Sequence, residues 1–128
     1  MKELPQYVLG KIVSLFLKNK KKEVYYHKGI KTDRFIIKHD SNINGVSLYD
    51  IYVPYNSSIR TLEHEYGHCL QSKKYKWFYL LIVGIPSLFG NIYDRLFHKK
   101  WSRERRIKWY FSRFPEKQAD ILGGVKRW

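Results

Sequence analysis

Cysteine is nearly absent: the 128-residue chain has one, Cys69. An internal disulfide is therefore excluded, which suits a reducing compartment. Acidic side chains are scarce too, 11 against 25 Lys and Arg, and the net charge is +14. Such an excess fits nucleic-acid binding, attraction to an anionic membrane surface, or solubility. The first of these lacks its usual company. No helix-turn-helix, zinc-finger spacing or aromatic RNA-binding signature accompanies the basic clusters at 18–22, 73–76 and 98–108. They read as solvated faces, with peripheral association with an anionic membrane as the alternative.

Long apolar runs are missing as well. The most apolar stretch, 77–90, has fourteen residues, whereas a membrane-spanning helix needs about 20. Extending it to Phe97 takes in Asn91, Asp94 and Arg95, and Pro86 interrupts it. A buried hairpin of core helices is expected. The alternative is a shallow interfacial element with Trp77, Tyr79 and Trp101 near the headgroups. At the N-terminus, Lys11 breaks the apolar run and no small-residue cleavage site follows, so no signal peptide is read there. A cytoplasmic protein is expected. No repeat or low-complexity linker divides the sequence, and residues 1–128 are read as one domain with a modest core.

What the chain does have is His64-Glu65-x-x-His68. On a helix, residues four apart share a face, so His64 and His68 can offer two imidazole nitrogens to one Zn²⁺. Glu65 sits about 100° further round, within reach of a metal-bound water. The wheel places Ile59, Leu62, Tyr66, Cys69 and Leu70 on one arc, with the histidines opposite. Cys69 therefore reads as a buried structural thiol. The bland alternative is a pair of surface histidines on an amphipathic helix.

Around this motif the spacing predicts an amphipathic helix over 4–18, packed on the core or, as the alternative suggested by the lysines that follow, lying on a membrane surface, and a turn at Gly29. Strands are predicted at 34–39 and 46–53, joined as a β-hairpin by the turn residues 40–45 and closed by Pro54. His39 reads as a surface residue. The motif helix is expected from about Ser58 to Ser72, capped within 56–58. A basic aromatic helix follows at 101–114. Pro115 then opens a short helix that ends at Gly123-Gly124.

Two neutral histidines leave a zinc ion without a charged third ligand. Glu116 meets that need, and Asp120, on the same face of the last helix, can orient a zinc-bound histidine through its outer nitrogen. Ala119 is small, as suits close approach to the motif helix. An exposed Glu116 and an unremarked Asp120 on the helix face are the bland reading.

At these residues the chain resembles the gluzincin metallopeptidases, which pair H-E-x-x-H with a later E-x-x-A-D, matched here by Glu116-Lys-Gln-Ala-Asp120. Its compactness is similar to that of the single-domain minigluzincins. The resemblance covers about residues 34–124. It implies a small zincin-like α+β domain, with one zinc held by His64, His68 and Glu116, Glu65 as general base, and Asp120 behind a histidine. It further implies that the 46–53 strand is the edge that holds an extended peptide, and that a terminal segment such as 123–128 lies in the cleft. The oxyanion-stabilising residue has no motif; Tyr110, His98 and Arg113 are candidates by chemistry. The expected function is a monomeric zinc endopeptidase acting on a peptide or protein substrate. The rivals are a non-catalytic zinc or membrane-surface interaction protein and a basic nucleic-acid binder.

Overall fold

The computed structural model describes residues 2–41 and 44–127. Asn42 and Ile43 of the expected turn, and Trp128 of the terminal segment, lie outside the described residues. The fold is α+β, with a four-stranded mixed sheet and five α-helices among the described residues. In chain order these are α1 (Leu4–Ser14), β1 (Lys21–His27), β2 (Ile30–His39), β3 (Val46–Leu48), β4 (Asp50–Pro54), α2 (Ile59–Tyr75), α3 (Ile85–Phe97), α4 (Arg103–Phe111) and α5 (Glu116–Gly123).

The sheet order is β1-β2-β4-β3. It corrects the expected hairpin. β2 and β4 pair in parallel, Ile36 opposite Ile51, so the two runs are neighbours but do not form a hairpin. The tight connections lie elsewhere. One is at Lys28-Gly29, both with positive φ, joining β2 to the unpredicted strand β1. The other is at Tyr49, φ 71, which breaks the expected 46–53 strand into antiparallel β3 and β4. Of the expected 46–53 strand only β3 lies at a sheet edge, with β1 at the other edge, and β4 is central. β1 was hidden because Lys21, Lys22 and Glu23 dominate its start, a charge run that carries no alternation.

Alternation within β4 and β2 builds two cores. Ile36, Ile51 and Val53 face α2, where they meet Tyr25, Cys69, Leu62 and Tyr66. Ile37 and Tyr52 face the other way, with Leu17, Leu48, Val13 and Leu80. His39 is buried rather than on the surface; its Nδ1 accepts from the Ser41 amide at 3.2 Å.

α1 is turned inside out relative to expectation. Gln6 and Gly10 are buried, while Val8, Leu9 and Ile12 are exposed. The cause is a polar network beneath the helix. Arg34 is fully buried, donates to Glu3 Oε1 at 2.7 Å and to the Tyr49 carbonyl at 3.0 Å, and stacks over the Tyr49 ring. Ser72 Oγ donates to the same Glu3 oxygen and accepts from Gln6 Nε2 at 2.7 Å. An unpaired buried guanidinium is costly, so α1 presents its polar side inward. Gly10 lets the helix reach the sheet, since a Cβ there would lie 2.5 Å from the Leu48 carbonyl oxygen.

The stretch 77–97 is not a buried hairpin. A 3₁₀ turn (Lys76–Phe78) and a π turn (Leu80–Gly84) run directly into α3. Pro86 sits in the first turn of α3. Leu80–Phe97 is long and apolar enough, by length and composition, to cross a membrane, and 11% of it is buried.

Candidate metal centre

The site is made by α2 and α5. Ser58 caps α2, accepting from the Thr61 amide at 3.2 Å, and fixes the phase of the helix. Leu62, Tyr66 and Cys69 then enter the core, leaving His64 and His68 on the side toward α5 and Glu65 toward β3. The two helices touch backbone to backbone. A Cβ on Gly67 would lie 1.8 Å from the Ala119 carbonyl oxygen, and one on Gly123 would lie 2.0 Å from the Glu63 carbonyl oxygen. Ala119 is fully buried in that contact, as its size suggested.

Close approach brings three donors together. His64 Nε2 lies 3.2 Å and His68 Nε2 2.8 Å from Glu116 Oε1. The donor atoms of these three buried residues all lie within 4.8 Å of one another, so the group can hold a metal ion. Ligands bound about 2.1 Å from a shared tetrahedral ion sit about 3.4 Å apart, close to the distances seen.

Hydrogen bonds fix which nitrogens face inward. Gln71 Nε2 donates to the Pro115 carbonyl at 3.0 Å and to Gln118 Oε1 at 2.9 Å. Its oxygen must then accept from His68 Nδ1, 2.6 Å away. His64 Nδ1 faces Asp120 Oδ1 at 2.7 Å, and a carboxylate can only accept. With both outer nitrogens donating, the neutral rings point bare lone pairs at the Glu116 carboxylate. Glu116 Oε2 is buried with no hydrogen-bond partner among the described residues. Acceptors converging on one point call for a cation, either a proton or a metal. The donor set fits a metal.

The ionisation equilibria carry the same message. Burial opposes the His64 imidazolium, yet Asp120 and Glu116 outweigh it and raise the pKa to about 9. Burial likewise opposes ionised Glu116, but hydrogen bonds from His64 and His68 hold its pKa far below the usual carboxylate range. Asp120 is lowered in the same way: burial raises it, while His64 and Arg127 more than compensate.

Glu65 is buried beside the donors without being one of them. Ser47 Oγ, from β3, lies 2.6 Å from the Glu65 backbone carbonyl and 3.1 Å from Oε1. Above these residues opens a cleft of about 810 Å³. β3 forms one wall and the helical run from Leu80 forms another. Tyr110 lines the cleft, whereas His98 and Arg113 do not. His98 stacks on Trp101 and bonds Asp94, and Arg113 lies over Trp109.

Every residue singled out in the sequence as a ligand, base or support, namely His64, Glu65, His68, Glu116 and Asp120, is brought into this site. Three partners were missed. Gln71 and Ser47 carry no signal beyond a polar residue on a ligand helix and on an alternating strand. Arg127 lines the cleft, donates to Asp120 Oδ2 at 2.5 Å and to Oδ1 at 3.1 Å, and lies over the Phe111 ring. The terminal segment thus returns to the site through Arg127, which anchors the carboxylate behind His64. No family model, curated protein or solved structure matches this chain.

Proposed function

We propose that the chain is a zinc-dependent peptidase. The observation that carries the reading is the division of labour among three buried carboxylates. Glu116 meets both histidine Nε2 atoms, Asp120 holds the back of His64, and Glu65 stands apart from the donor set at the floor of the cleft. A binding module has no use for that third carboxylate.

Two imidazoles and one carboxylate, with a fourth position left to water, form the donor set that suits catalytic zinc. Zinc bound there supplies a Lewis acid that polarises a carbonyl and acidifies water. Glu65 accepts the proton of the attacking water and returns it to the leaving amine. Ser47 keeps the Glu65 carboxylate in place by its contact with Oε1. Tyr110 is suited to donate to the developing oxyanion. Burial, reinforced by Glu116, raises its pKa to about 12, so its hydroxyl keeps its proton. The edge of β3 is only partly available to an extended peptide, because the Tyr79 hydroxyl already bonds the Ser47 carbonyl at 3.0 Å. Substrate backbone would therefore meet the strand at Gly45.

The test is cleavage of a fluorogenic peptide library by the full chain loaded with zinc. Glu65→Gln should lower the rate by at least about 100-fold while zinc content stays at the wild-type level. A Glu65→Gln protein as active as wild type would refute the mechanism.

A further inference from the structure

Two helical segments carry apolar rows that none of the described residues covers. On α1 and the turn after it, Ile12 is 49%, Leu15 77% and Phe16 77% exposed. On the long helical run, Leu81 is 62%, Phe89 65% and Phe97 65% exposed. Soluble proteins scatter single exposed apolar residues over their surfaces, but a contiguous patch this large marks an interaction site.

The two rows meet at one end. Val13 and Leu17, at the end of α1, pack into the same core cluster as Leu80, at the start of the long run. α1 also touches the turn at Lys76–Phe78. The C-terminal end of α1 and the start of the long run therefore adjoin at the sheet face opposite α2. Their inward sides are spoken for. In α1 the polar residues serve Arg34 and Ser72, and along the long run Ser87, Asn91 and Arg95 line the cleft. Val13, Leu80 and Val83 also pack inward, yet both segments keep a row of large apolar side chains turned outward.

We infer that this surface docks on a lipid bilayer bearing anionic headgroups. The charge around the patch selects that occupant. Lys18, Lys20 and Lys22 are exposed just beyond α1, and Lys99 and Lys100 just beyond α3. Trp77 and Tyr93, half exposed, supply rings of the kind that settle at headgroup level. Apolar side chains between lysines, on a chain of net charge +14, match an interfacial helix on anionic lipid rather than a second copy of an equally basic chain. Docked this way, the cleft opens beside the membrane surface, since α3 is its wall. The inference holds whether or not the cleft cleaves peptides.

The experiment is flotation of the purified full chain with phosphatidylcholine vesicles, with and without a quarter of phosphatidylglycerol. Wild type should float with the anionic vesicles, and less so as salt is raised. L81E/F89E should lower the bound fraction by about tenfold or more, and so should L15E/F16E. All four side chains are mostly exposed, so these variants should keep wild-type zinc content and far-ultraviolet circular dichroism, which separates lost docking from lost folding. Three results would overturn the inference: no flotation of wild type, flotation that both double variants retain, or a wild-type dimer that ignores vesicles and becomes monomeric on L81E/F89E.

Discussion

Gly67 and Ala119 meet where no side chain fits: the Gly67 Cα faces the Ala119 carbonyl so closely that a Cβ would lie 1.8 Å from its oxygen. This contact sets the spacing between the helix that carries the histidines and the helix that carries Glu116. The obstacle is backbone, so it cannot swing aside like a flexible side chain.

Gly67→Ala should therefore force α2 and α5 apart and separate Glu116 from both histidines. Despite the better helix propensity of alanine, overpacking should cost about 3 kcal/mol. Urea unfolding checks the stability, and zinc titration checks the site. An unchanged midpoint and affinity would contradict the packing described.

Gln71 should matter to metal binding without touching metal. It orients His68 from behind, while Pro115 and Gln118 hold its own amide. Gln71→Ala is expected to weaken zinc binding about 10- to 100-fold, read by competition with a chromophoric chelator. Leu70, its partly buried neighbour on the same helix, offers the control: Leu70→Ala should alter stability with little change in zinc affinity.

The pH dependence has two limbs in the metal-free protein. His64 titrates at about 9, against ~6.5 in an unfolded chain. Its contribution to stability is full below ~6.5 and is lost as pH rises through about 9. Glu116 and Asp120 are depressed, so their contribution is present above ~4 and lost as pH falls. Zinc must displace the proton from His64. The rise in melting temperature on adding zinc should consequently be larger at about pH 8.5 than at about pH 6, below the pKa of either state. A larger rise at the lower pH would contradict the assignment.

Cys69 should be inert while the chain is folded. It is fully buried, and desolvation raises its pKa to about 12 despite the nearby Arg34. A chromogenic disulfide reagent at mildly alkaline pH should label it only as fast as the protein unfolds, with full labelling in denaturant. Immediate labelling of native protein would place the thiol outside the core.

Much of the site was legible in the sequence because its chemistry is local. His64 to His68 and Glu116 to Asp120 each span just over one helical turn, so spacing alone sets their faces. The α+β class followed from the same periodicities. Long-range pairing was less visible. Whether β2 meets β4 in parallel or antiparallel depends on the direction of the chain between them, which alternation does not encode. The break at Tyr49 needs a positive φ that no glycine marks. The outward face of α1 was misjudged because its helical pattern is genuine, while buried Arg34 decides which side faces in. Gly67 could have been noticed: glycine in a helix interior costs stability, and close helix contact is a usual reason to keep it.

The central claim rests on Glu116 joining the two histidines around one ion, and elemental analysis of bound metal tests it most directly. Full-length protein, purified with zinc and dialysed, should carry about one zinc per chain, and Glu116→Ala should lose most of it while remaining folded. Folded wild type that retains no zinc, or Glu116→Ala that retains as much as wild type, would contradict the three-ligand site.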